Sequence, residues 1–339
     1  MNQYISASPH LRDNLSVPKI MYIVIFTLLP AGAWSIYIFG LKALWIILIS
    51  IITALLTEWI CQKFMNRPIT IYDGSAILTG LLLAFNLPPA VPIWIPAVGS
   101  FVSIFIGKQI FGGLGFNPMN PALIGRAFLM ASWPVHMTVF KTIPKGEISL
   151  SGIDAITGAT PLAVFKQMRE ILINRTDYLP EQVTQATEIM YQLNRGYWKL
   201  FFGNVGGCIG EVSAVLILIG ACFLLYRRII GWKIPMAYIG TVIVLTTIFG
   251  GTDGLMTGNA LFHVFSGGLF LGAFYMATDM VTTPVTFTGR IWFGVGCGIL
   301  TVVIRLWGGY PEGVSYSILL MNLATPLLDR YMKPKVFGG

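Results

Sequence analysis

The chain alternates long apolar runs with short polar breaks, and the runs fall into two groups of five around one long polar interval. A helix needs about 20 apolar residues to cross the hydrocarbon core of a bilayer. Runs of that order lie at 19 to 39 and 42 to 61. The third, 75 to 87, is too short to cross comfortably and stops at Pro88 and Pro89, which predicts a broken or tilted element completed by the run from 91 to 110. A fifth covers 120 to 133. After the polar interval come 208 to 229, 234 to 250, 258 to 277, 290 to 306 and 314 to 331. The pattern predicts an all-α integral membrane protein of about ten transmembrane helices, some of them broken. It divides into a first membrane half (1–133), a polar loop (134–205) and a second membrane half (206–339). A hydrophobic fraction of 55% against 11% charged residues supports that class over a soluble domain.

The charge of +8 would suggest nucleic acid in a soluble chain, but here it sorts by loop. With both termini inside, one face collects Arg12, Lys19, Lys63, Arg67, Lys108, Arg227, Arg228, Lys233, Arg290, Arg330, Lys333 and Lys335, whereas the other short loops hold Lys42 and Arg305. Cytoplasmic loops of membrane proteins are enriched in Lys and Arg. Both termini are therefore expected in the cytoplasm and the loop around Thr160 outside, with lipid as the surrounding partner and no nucleic acid. Two halves of five spans must point oppositely. Thr79–Phe85 echoes Gly267–Phe274, and Phe111-Gly112-Gly113 echoes Trp307-Gly308-Gly309. These echoes predict weakly similar inverted halves in a urea-transporter-like arrangement, with ligand sites at interrupted helices.

Within the polar interval, Asp154-Ala155-Ile156-Thr157-Gly158-Ala159-Thr160-Pro161 precedes a helical stripe of Leu162, Phe165, Met168 and Leu172. Pro161 suits the first helical position, where its missing N–H is no loss, so Thr160 is the N-cap. Its hydroxyl would lie where free N–H groups and the positive helix end converge, an anion site with Lys166 and Arg169 one to three turns on. On these grounds alone Thr160 reads first as an ordinary cap worth about 1 kcal/mol. A second amphipathic helix is expected over Glu181 to Leu193. Tyr197, Trp198, Phe201 and Phe202 then form an interfacial aromatic belt.

Asn117 and Asn120, among glycines and prolines, would offer amides and freed carbonyls to a flavin edge or a cation, or else satisfy a proline-kinked turn. Arg126, Glu211 and Asp279 fall within or beside apolar runs, where charge is expensive; each is an ion-path candidate or a partnered structural ion. Cys61, Cys208, Cys222 and Cys297 show no metal-ligand spacing, and His10, His136 and His263 stand apart, so no metal is expected. No Walker loop occurs, and Gly112-Gly113-Leu114-Gly115 lacks the context of a dinucleotide turn.

Several runs carry a resemblance across nearly the whole chain: Ser8-Pro9-His10, Asp73-Gly74-Ser75-Ala76, Thr79 to Ala84, Gly107-Lys108-Gln109, Gly112 to Ala122, Ala277-Thr278-Asp279 and Tyr310-Pro311-Glu312-Gly313. The chain resembles the NqrB/RnfD family, which comprises the RnfD component of the Rnf electron-transport complex and the NqrB component of the Na⁺-translocating NADH:quinone reductase. The short stretch before the first span favours the Rnf branch. In this family a flavin transferase esterifies the last threonine of an Asp-x-x-Ser/Thr-Gly-Ala-Thr signature with the phosphate of FMN. The resemblance implies covalent FMN on Thr160, with Asp154, Thr157, Gly158, Ala159 and Lys166 around it, and a possible second flavin, riboflavin. It further implies a prokaryotic inner-membrane location and, as partners, the RnfA, RnfB, RnfC, RnfE and RnfG components of the complex. The expected task is to relay electrons between ferredoxin and NAD, coupled to Na⁺ or H⁺ translocation and inactive in isolation. The alternatives are an NqrB-like component of a quinone reductase and a small-solute channel or carrier without flavin.

Overall fold

A computed structural model describes residues 16–140, 160–202, 206–211, 213–252 and 254–333, and among these the regular structure is entirely helical. Helix α1 (Val17–Phe39) and α2 (Leu41–Phe64) are joined by Gly40 alone, whose φ of 77° a side chain would resist. Gly74, at φ 78°, likewise starts α3 (Ser75–Phe85). Then come α4 (Trp94–Ile104), which runs into a π-helical turn at Phe105–Gln109, α5 (Pro121–Ser132) and the short α6 (Pro134–Thr138).

The polar interval contributes α7 (Pro161–Ile173), α8 (Pro180–Arg195) and α9 (Tyr197–Phe202). The second half holds α10 (Ala214–Tyr226), α11 (Lys233–Phe249), α12 (Ala260–Phe265), α13 (Leu269–Leu271) with a π-helical turn at Gly272–Met276, α14 (Phe287–Trp307) and α15 (Val314–Tyr331). Among the described helices, α1, α2 and α14 are long and apolar enough to cross a membrane. Many of their large apolar side chains, such as Phe26 and Tyr37, face outward, as a lipid-facing surface requires.

Two expectations need correction. The run from 258 to 277 is not one helix: Gly267, at φ 69°, breaks it between α12 and α13. The run from 208 opens with a short turn at Ile209–Glu211 and becomes α-helical only at Ala214. Two cations assigned to loops are also interior. Lys108 is 2% exposed and pairs with Glu58, while Arg305 lies buried in the last turn of α14.

The main core gathers α1 to α5 with α10 to α15, and glycines set its closest approaches. A Cβ on Gly80 would stand 2.8 Å from the Ser50 carbonyl, and one on Gly294 2.8 Å from that of Ile234. α3 therefore presses its backbone on α2, and α14 on α11. A second core joins Leu162, Phe165, Met168 and Leu172 of α7 to Ala186, Ile189, Met190 and Leu193 of α8 and to Phe262 of α12. The ring of Phe165 stacks on Phe262 at 5.0 Å between centroids. The α7–α8 hairpin is thus packed onto the break in the second half.

Candidate functional site

Thr160 is the N-cap of α7. Its backbone is extended, Pro161 follows, and its Oγ1 accepts from the Ala163 N–H at 3.2 Å. The hydroxyl thus lies at the positive end of a 13-residue helix, as its position before Pro161 predicts. This donor set fits a phosphate. Thr160 is only 5% exposed, so a flavin attached there requires its surroundings to give way. Asp154, Thr157, Gly158 and Ala159 lie outside the described residues.

Lys166 and Arg169 turn from the start of α7 toward the ends of two helices. Lys166 Nζ donates to the Gly308 carbonyl just beyond α14, and Arg169 donates to the carbonyls of Leu306 (3.3 Å) and Phe249 (3.2 Å). Loss of water around both side chains lowers their pKa values. Carbonyls at a helix C-terminus are a natural seat for cations, because the last ones lack N–H partners. Lys166 is accordingly committed to Gly308.

Near the start of α7 lies a charge cluster in which Arg126 and Arg305 are buried and Glu211 and Glu312 are partly buried. Arg126 on α5 pairs with Glu312 and also donates to Asn86 Oδ1 at 2.6 Å. Cys208 Sγ stands 4.0 Å from the Arg126 guanidinium and 3.9 Å from Glu312 Oε1. Glu211 Oε2 accepts from the Cys208 N–H at 3.3 Å, whereas its Oε1 is buried without a partner among the described residues. Arg305 gives its Nε–H to the Glu312 carbonyl at 3.0 Å and another N–H to Ser266 O at 3.1 Å. The point a Cβ of Gly267 would occupy lies 3.4 Å from Arg305, 3.7 Å from Leu162 and 3.9 Å from Glu312 Cγ. Leu162, two residues beyond Thr160, thus flanks the same glycine as Arg305 and Glu312.

The structure brings together two of the three charged candidates, Arg126 and Glu211. Asp279 is elsewhere: its carboxylate accepts from Thr282 Oγ1 at 3.3 Å near the beginning of α14. Asn120 caps α5 through Ala122 N–H (3.1 Å) and donates to Met276 O (3.4 Å), bridging α5 and the π-helical turn at Gly272–Met276. Asn117 donates to Met119 O at 3.1 Å, and its buried Oδ1 has no partner among the described residues.

The model of the NQR2, RnfD, RnfE family matches residues 4–338. The chain belongs to that family. It is 48% identical over 334 residues to the D subunit of the proton-translocating ferredoxin:NAD(+) oxidoreductase complex of Clostridium ljungdahlii, covering 98% of this chain and 96% of that one. It is 46% identical over 338 residues to the D subunit of the Na(+)-translocating ferredoxin:NAD(+) oxidoreductase complex of Acetobacterium woodii, covering 100% and 96%. Against the D subunit of the ion-translocating oxidoreductase complex of Stutzerimonas stutzeri it is 39% identical, covering 95% and 92%. Near-equal identity to a proton-coupled and a sodium-coupled relative means that overall similarity does not select an ion.

For this member of the NQR2, RnfD, RnfE family, reasoning from the sequence missed Glu312, Cys208 and Asn86 as parts of the site. Arg126 and Glu312 are 186 residues apart, and no local period joins them. One signal was present: Glu312 is an acidic residue held between Pro311 and Gly313 where two apolar runs meet.

Proposed function

We propose that the chain is the membrane flavoprotein subunit of an Rnf-type complex, relaying electrons between ferredoxin and NAD and coupled to Na⁺ or H⁺ translocation. The observation that carries it is Thr160 at the N-cap of α7, a helix whose Leu162 flanks Gly267 together with Arg305 and Glu312 of the charge cluster. The names of its relatives, D subunits of ferredoxin:NAD(+) oxidoreductase complexes, support the complex and its substrates. FMN esterified to Thr160 would supply one- and two-electron transfer, and the partners would be the other Rnf subunits and a flavin transferase. The chain's own contribution is to seat the phosphate at a helix end and to hold charge near it. Riboflavin near Asn117 and Asn120 belongs to the same reading, as do Arg126, Glu211 and Asp279 along an ion path.

In this reading ten segments cross the membrane as two inverted halves. Support comes from matched packing: α2 lies against α3 and α4 in the first half, α11 against α14 in the second, and α1 against α10 between them. The cytoplasmic placement of the basic ends is supported by their grouping. Lys19, Arg227 and Arg228 line one cavity, and Lys233 sits 3.5 Å over the Phe287 ring.

Thr160→Val tests the attachment, because an ester needs the hydroxyl. The wild-type band on a denaturing gel should fluoresce under ultraviolet light and the variant band should be dark at equal membrane content; a fluorescent variant would refute the assignment. Sidedness is checked with an impermeant cysteine probe outside intact cells, expected to label cysteines placed near Glu181 and to miss those near Arg227.

A further inference from the structure

We infer that Glu211 and Glu312 form a partly buried carboxyl pair that holds one exchangeable proton, and that this proton is bound more tightly when negative charge is added at Thr160. The second clause rests on the flavin reading above; the first stands on the cluster alone. The starting point is the accommodation made for Glu211. A Cβ on Gly268 would stand 2.8 Å from its Oε1, and one on Gly207 3.2 Å from its Oε2, so two glycines leave a cradle shaped to a carboxyl group. One oxygen in that cradle takes a backbone N–H and the other takes nothing among the described residues. A buried carboxylate oxygen without a donor is costly, and a proton on it removes most of that cost.

The neighbours decide what the cradle binds. Oxygens of Glu211 and Glu312 and the sulfur of Cys208 lie within 4.8 Å of one another, near enough that charge on one carboxylate disfavours charge on the other and the pair titrates as a unit. The charged groups facing the pair are Arg126 from α5 and Arg305 from α14. Arg126 already pairs with Glu312, and its positive charge opposes a metal cation in the same space. With Arg126, Arg305 and both carboxylates ionised the cluster is neutral, so a proton makes it positive. Negative charge at the start of α7, whose Leu162 flanks Gly267 together with Arg305 and Glu312, would offset that charge.

Space for a water adjoins Glu312. A cavity of about 20 Å³ is lined by Arg126, Glu312, Tyr310 and Tyr316, among others. That is room for one water, which needs roughly 10–15 Å³. With dithionite as the reductant, one electron would pass to FMN on Thr160, and one H⁺ from the aqueous buffer, passed through water in this cavity, would join a carboxylate to give a carboxylic acid, so that charge added and charge neutralised are equal.

The test is infrared difference spectroscopy on the purified full chain in detergent. Two differences are recorded: acid minus alkaline, which needs no flavin, and dithionite-reduced minus oxidised. In the wild type both should show a protonated-carboxyl carbonyl band that shifts in D2O. Glu211→Gln, close in shape, and separately Glu312→Gln should abolish the band, while Glu58→Gln in the other ion pair should keep it. The parallel variants guard against one that fails to fold. If the acid–alkaline band is missing, or survives both substitutions, the shared proton is refuted. If that band appears but flavin reduction leaves it unchanged, with the fluorescent gel band intact, the link to Thr160 is refuted and the flavin assignment survives. A dark gel band refutes the flavin reading and with it the link, while the acid–alkaline difference still decides the shared proton. A reduction-induced signal that depends on sodium and not on pH would replace the proton with a cation and overturn the proposal.

Discussion

Among the described residues two interior ion pairs are built differently. In one, Lys108 from the π-helical turn gives its ammonium to Glu58 Oε1 and Ser75 Oγ, each at 2.6 Å. The same Glu58 oxygen takes further N–H groups from Gln62 and Gln109, each at 3.1 Å. One cation meets one carboxylate, and Glu58 is fully buried. In the other, Arg126 meets Glu312 with a second carboxylate, a thiol, a glycine cradle and a water-sized cavity at hand. A buried charge left alone is worth several kcal/mol of destabilisation. Both pairs leave one carboxylate oxygen, Glu58 Oε2 and Glu211 Oε1, without a partner among the described residues; the first has one carboxylate facing its cation, whereas the second adds another carboxylate and room for a water, so its charge can change.

The largest effect should come from Glu58→Ala, which leaves the Lys108 ammonium buried against Ser75 alone. It should cost about 3–5 kcal/mol, read as a lower unfolding midpoint in detergent, and Lys108→Met in the same chain should restore part of it. Glu312→Ala should cost less, about 1–3 kcal/mol, because Arg126 keeps Asn86 and can reach water in the cavity. Equal losses would break the contrast between the single-carboxylate pair and the adjustable one.

Gly268→Ala sharpens it further. The added methyl would press on Glu211 Oε1, and the expected cost is about 1–3 kcal/mol with a displaced carboxyl band. The smallest effect is expected for Lys166→Met, which loses one bond to the Gly308 carbonyl. Roughly 0.5–1.5 kcal/mol should appear as faster proteolysis of the α7–α8 hairpin, with the core melting unchanged.

The elements were legible in the sequence because each depends on local pattern. Apolar runs near the length of a span, a threonine before a proline, and the stripe from Leu162 to Leu172 all act over a few residues, and helices formed there. Arg126 and Glu211 were legible as expensive charges. Their meeting with Glu312 was not, since it depends on how α5, α14 and the turn before α10 pack in three dimensions. Lys108 was misread for a related reason: a lysine at the end of an apolar run looks like a loop cation until Glu58, fifty residues earlier, is placed beside it. The break at Gly267 was missed because apolar residues continue on both sides of it.

The ties that Lys166 and Arg169 make end on main-chain carbonyls at Phe249, Leu306 and Gly308. Every amino acid supplies that acceptor, so the side chains at Phe249 and Leu306 can drift over evolutionary time without releasing the hairpin. The two cations have no such freedom. Inheritance of the tether should therefore be one-sided, with Lys166 and Arg169 kept while what they hold on to is free to change its chemistry.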